Sequence, residues 1–176
     1  PCPDLQVEPD ASSASYFHAV NALFPAVQPV NVMACEPPRA AGGTGWQIDA
    51  EFPRLAPTAG SSADGAGVEA VAKRRKLEPE VVSRKTDLGD SIMTAIAIAP
   101  LATRPYSFRC LGVLRKQECE RVQALRDELT KCRAEVTETD DVLAVVRDFL
   151  PPLPRLASPI LALEPHHPAR IPRATP

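Results

Sequence analysis

The side chains able to carry metal or nucleophilic chemistry in this sequence are few. There are five cysteines, Cys2, Cys35, Cys110, Cys119 and Cys132, and three histidines, His18, His166 and His167. Structural zinc is held by closely spaced ligand pairs. No Cys-x-x-Cys occurs here and the histidines stand far from the cysteines, so no metal site is expected. The thiols read as free, as in a reducing compartment, and His166-His167 as solvated. No Gly-rich phosphate loop opens a helix, and no histidine accompanies a nucleophile pattern. Asp140-Asp141 reads as negative charge at a helix N-terminus rather than as metal ligands. The residues therefore point away from an enzyme and imply no cofactor.

Charge offers recognition chemistry instead. Lys73-Arg74-Arg75-Lys76, followed by Leu77-Glu78-Pro79, resembles a nuclear-import signal. An extended basic strand can seat each cation in a separate acidic slot of an import receptor. The competing reading is a solvated basic patch on a linker. The localisation that follows is nuclear, with cytoplasmic as the alternative. A net charge of −2 argues against direct nucleic-acid binding, because neutralising phosphates takes a basic face. Pro151, Pro152, Leu153 and Pro154 resemble the ligand class of WW domains, and a polyproline helix loses little entropy on docking. The plainer reading is a helix stop and spacer.

These motifs need elements to carry them, and one stretch is patterned strongly enough. Residues 111–150 contain no proline and repeat apolar positions every seven residues. With Leu111 at d, the d series is Leu111, Glu118, Leu125, Cys132, Thr139 and Val146. The a series is Arg115, Val122, Leu129, Val136, Leu143 and Leu150. The predicted seam for a partner helix is Val122, Leu125, Leu129, Cys132, Val136, Leu143, Val146 and Leu150. In a parallel homodimer Arg121 would face Arg126 and Glu135 would face Asp140, which repel. An antiparallel or heterotypic partner is therefore favoured. Thr137 to Asp141 is a poor helix interior, so a helical hairpin broken there is the competing geometry. The nearest strong basic run is too far from Leu111 for a DNA-reading zipper.

The remainder of the chain looks sparsely ordered. Twenty prolines and only 5% aromatic residues leave little for a core. Residues 1–65 read as a disordered arm with one short helix at 13–24, started by Ser13 or Ser15. Its residues Phe17, Val20, Leu23 and Phe24 form a docking face, either for a partner or for this chain's own core. Residues 66–85 are a basic linker. In 86–110, Ile92, Thr94, Ile96 and Ile98 alternate with smaller residues, as do Tyr106, Phe108 and Cys110. A small β-hairpin is predicted there, with a short helix at 90–99 competing. Residues 151–176 form a Pro-rich tail. No apolar run reaches eighteen residues, so no membrane span is expected, and the first residues lack the pattern of a secretory signal.

The fold class this predicts is mainly α: one coiled-coil helix or helical hairpin between largely disordered segments. The function it predicts is non-enzymatic, protein-binding and regulatory, in the nucleus. Two alternatives remain: an accessory subunit ordered by its neighbours in a large assembly, and a small α+β ligand-binding domain.

Overall fold

Short runs of β-branched and aromatic residues build the centre of the molecule. In the computed structural model, which describes residues 8–24, 28–32, 46–58, 76–117 and 119–147, they form β1 (Glu80–Ser83), β2 (Tyr106–Arg109), β3 (Ala134–Thr139) and β4 (Val142–Arg147). The helices are α1 (Ala11–Leu23), α2 (Phe52–Leu55), α3 (Ile92–Ile98) and α4 (Arg121–Lys131), with a 3-10 turn at Ile48–Glu51 leading into α2. The strands make one mixed sheet in the order β1-β2-β4-β3. β1 and β2 are parallel, which requires a crossover, and α3 supplies it. β2 pairs antiparallel with β4, and β3 and β4 form a hairpin. Residues 80–147 thus run β-α-β-α-β-β, an α/β unit.

Register explains the core. Val82 lies opposite Phe108, and Phe108 opposite Leu143; Tyr106 lies opposite Val145. These five side chains are buried, and the Tyr106 and Phe108 rings stack with centroids 5.7 Å apart. Leu88, Ile92, Ala95 and Ile96 from the β1–α3 crossover join them, as do Leu111, Leu114, Val122 and Leu129 from the second connection. Phe52, at 0% exposure, brings the N-terminal segments into the same core.

α1 packs through small residues. Ala11, Ala14, Ser15 and Ala19 are buried, and the Ser15 hydroxyl hydrogen-bonds the Thr94 hydroxyl at 2.8 Å on α3. The N-cap is Asp10, not Ser13 or Ser15. Its carboxylate accepts from the Ser13 N–H at 3.1 Å and from the Ser13 hydroxyl at 2.6 Å, which holds the carboxyl below its ordinary pKa. The predicted docking face lies elsewhere on this helix. Phe17 and Val20 are exposed, while Leu23 and Phe24 are half-buried, Leu23 against the core.

The long coiled-coil helix does not exist, and neither does the helical hairpin. Residues 112–116 are a 3-10 turn, and α4 is eleven residues long. It ends at Cys132 and Arg133, the latter with φ 61°. The predicted seam is divided among three elements. Val122, Leu125 and Leu129 lie on α4, Val136 on β3, and Leu143 and Val146 on β4; Cys132 caps α4 and is exposed. The sevenfold spacing is coincidental here: in β4 burial alternates with period two, Leu143 and Val145 pointing inward. Leu150 lies outside the described residues. The predicted β-hairpin at 92–99 and 106–111 is also corrected. Residues 92–98 are helical, as in the competing reading of a short helix at 90–99, and β2 pairs with β1 and β4 instead. Ala95 and Ile96, like Ile92, are buried, so this segment has no polar face to betray its period.

Candidate active site at the strand ends

β1 and β2 deliver two loops to one edge of the sheet. In open α/β sheets the crevice beyond the carboxyl ends of parallel strands is where ligands bind. The first loop, 84–91, turns tightly. Asp87 Oδ2 accepts from the Ser83 N–H at 2.8 Å, and the Asp87 and Leu88 amides donate to the Ser83 carbonyl. At its far end Arg84 pairs with Asp90, Nη2 to Oδ1 at 2.6 Å. The N–H of Ser91 donates to Asp49 Oδ1 at 2.7 Å. Asp49 itself is buried, and its Oδ2 accepts from the Ser12 hydroxyl at 3.0 Å.

The second loop leaves β2 through Cys110, at φ 61°, and the 3-10 turn. Arg115 fixes it. Its guanidinium pairs with Glu120 at 2.8 Å and with Glu138 on β3 at 2.6 Å, and it donates to the Asp140 carbonyl at 2.7 Å. The Glu138 carboxylate, first among these neighbours, raises the pKa of Arg115 further above its ordinary value. Glu120 in turn caps α4 by accepting from the Gln123 N–H. The two loops meet where Arg121, at the start of α4, donates to the Met93 sulfur at 3.7 Å in the first turn of α3.

The edge is rich in cations. Arg84 and Arg115 are held by carboxylates, whereas Lys85, Arg109 and Lys116 are exposed. Three buried polar atoms lie in these same loops with no hydrogen-bond partner among the described residues: Arg84 Nε, Ser91 Oγ and Gln117 Oε1. Buried polar atoms are ordinarily satisfied, so these three stand out within the two loops. The chemistry available is binding of anionic groups by guanidinium and ammonium, beside an exposed carboxylate, Asp90. No group of metal-ligating side chains occurs among the described residues.

The residues singled out from sequence do not gather at this edge. Lys76 is exposed in a turn before β1. Lys73, Arg74 and Arg75, and Pro151, Pro152, Leu153 and Pro154, lie outside the described residues. Phe17 and Val20 are on the outer side of α1. Arg84, Asp90, Gln117 and Arg121 went unnoticed as site candidates. Their signal was Gly89-Asp90-Ser91 set between a strand-like Val81-Val82 and an apolar helix, the punctuation of a β-α-β unit.

Comparison with known proteins identifies the family to which the chain is similar. The family described as EPSP synthase (3-phosphoshikimate 1-carboxyvinyltransferase) matches residues 2–152. Among curated relatives, a 3-phosphoshikimate 1-carboxyvinyltransferase of Bordetella petrii is 34% identical over 146 residues, covering 80% of this chain and 31% of the relative. One of Neisseria meningitidis serogroup B is 34% identical over 145 residues, covering 80% and 31%. One of Yersinia pestis is 30% identical over 160 residues, covering 91% and 34%. The chain spans about a third of the length of these relatives. The matches overturn the expectation of a non-enzymatic regulatory protein, since the relatives are named as transferases. They overturn the nuclear expectation as well, since these relatives come from bacteria, which have no nucleus. No described helix is long and apolar enough to cross a membrane.

Proposed function

The chain belongs to the EPSP synthase family, and from that premise we propose that it takes part in the reaction for which its relatives are named, transfer of a carboxyvinyl group to 3-phosphoshikimate. The observation that carries the reading is the family match across residues 2–152. The chemistry of the strand-end edge supports it. Both the acceptor, a phosphorylated carboxylic acid, and the transferred group, itself a carboxylic acid, are anionic. Arg84, Arg109, Lys116 and Arg121 supply cations on the two loops that such groups require. An acceptor hydroxyl that takes a carboxyvinyl group must give up a proton, and Asp90, an exposed carboxylate on the first loop, is the group assigned to take it.

The test is calorimetric titration of the chain with 3-phosphoshikimate. Binding is expected. Arg84→Ala and Arg121→Ala should each weaken it by about 10- to 100-fold, the loss of one charge-assisted hydrogen bond. Absence of binding heat, or full affinity in both variants, would remove this edge from the reaction.

A further inference from the structure

We propose that Asp49 is a positioning residue for the strand-end edge, a role that rests on the function above only for the ligand used to read it. Asp49 belongs to the 3-10 turn before α2, far in sequence from the loops it serves. It is only 8% exposed. Its Oδ1 accepts from the Ser91 N–H at 2.7 Å, and its Oδ2 accepts from the Ser12 hydroxyl at 3.0 Å. Three separate segments therefore converge on one carboxylate: the first turn of α1, the 3-10 turn, and the loop that enters α3.

The loop's own bonds tie Asp87 and Leu88 to Ser83 and Arg84 to Asp90, and none of them reaches the Ser91 amide. Ser91 stands at the N-cap of α3, where a serine side chain ordinarily caps the helix, yet it makes no such bond and its hydroxyl is unpartnered. The long-range carboxylate holds the amide of Ser91 instead. Asp90, one residue earlier, is thereby fixed in the position where it pairs with Arg84. Gly89 completes the seat. A Cβ on residue 89 would stand 2.5 Å from Asp49 Oδ2, so only glycine lets the loop close onto the carboxylate. Asp49 reaches no ligand; it sets where Asp90, Arg84 and the free Ser91 hydroxyl point.

The experiment uses the full chain with Asp49→Asn, Asp49→Ala and Gly89→Ala, read by 3-phosphoshikimate titration and by amide hydrogen exchange. Asparagine keeps an acceptor for the Ser91 N–H and offers its amide to the Ser12 oxygen, so it should rescue affinity to within about three-fold. Asp49→Ala and Gly89→Ala should weaken binding by more than ~10-fold and speed exchange at Ser91 to a similar degree, with the β2 and β4 amides unchanged. A purely stabilising role would lower Tm while leaving the affinity of the folded chain intact, and that result overturns the proposal. If the parent chain binds no 3-phosphoshikimate, the transfer reading fails separately. Exchange at Ser91 then decides alone: unchanged protection in Asp49→Ala rejects the positioning role, and selective loss upholds it.

Discussion

Glu138 shows how far one side chain can depart from the place its sequence pattern suggests. It lies opposite Leu143 in the β3–β4 ladder, on the inward row of the sheet. An inward carboxylate at a sheet edge is costly unless paired. Two arginines pair it, Arg115 at 2.6 Å and Arg126 at 2.9 Å. Neither partner was visible in a heptad, where Glu138 would have faced water. His18 makes a second residue-scale case. It lines a cleft of ≈180 Å³ with Ala11, Ala14, Val32, Asp49, Ala50 and Pro53. Burial lowers its pKa below the ordinary value. The unfolded chain then binds the His18 proton more readily than the folded one. Stability is whole above about pH 6.5 and is lost as pH falls from there through the lowered folded value. Thermal melts across this window should show Tm falling with acidification, and His18→Gln should flatten that slope. An identical slope in the variant would remove His18 as its source.

Elements are governed by local backbone chemistry as much as by apolar spacing. The hairpin joining β3 to β4 turns through Asp140, at φ 49°, a conformation that aspartate tolerates and β-branched residues do not. Asp140→Gly should leave stability within about 0.5 kcal/mol, whereas Asp140→Val should cost roughly 1–3 kcal/mol. Urea unfolding measures both; equal midpoints for the two variants would contradict the turn. This turn was half legible. Residues 137–141 read correctly as unfit for a helix interior, but the break was weighed only as a helical hairpin competing with one continuous helix. The period-two burial of Leu143 and Val145 was concealed because Val136, Leu143 and Leu150 also lie seven apart. The opposite error befell residues 92–98. Alternation of isoleucine with alanine there imitates a strand, yet α3 is buried nearly all round, so large and small residues alike face protein. Periodicity reports the boundary between wet and dry faces, and a helix without a wet face has none.

On the scale of the whole molecule, the decisive contact joins segments distant in sequence. Phe52, fully buried, places the N-terminal segments in the same core as the sheet unit. Phe52→Ala should destabilise the chain by about 3–5 kcal/mol. It should do so in a single urea transition seen alike by helix and sheet probes. Two separate transitions in the parent chain would show that the halves fold independently. The sequence alone established the scarcity of aromatic residues and a helix near 13–24; of the helix it suggested over 111–150, only Arg121–Lys131 is α-helical. Each depends on composition or on neighbours within a few residues. The α/β fold and the strand-end edge depend on something else. β1 acquires its partner Phe108 across a crossover, Ser91 its acceptor Asp49 from before the sheet unit, and Arg115 its counter-ion Glu138 from the far edge strand. No local spacing encodes such pairings, because closing a long loop is decided by what the joined surfaces bury together. Only the tertiary structure could bring the two loops, and their cations, to one edge.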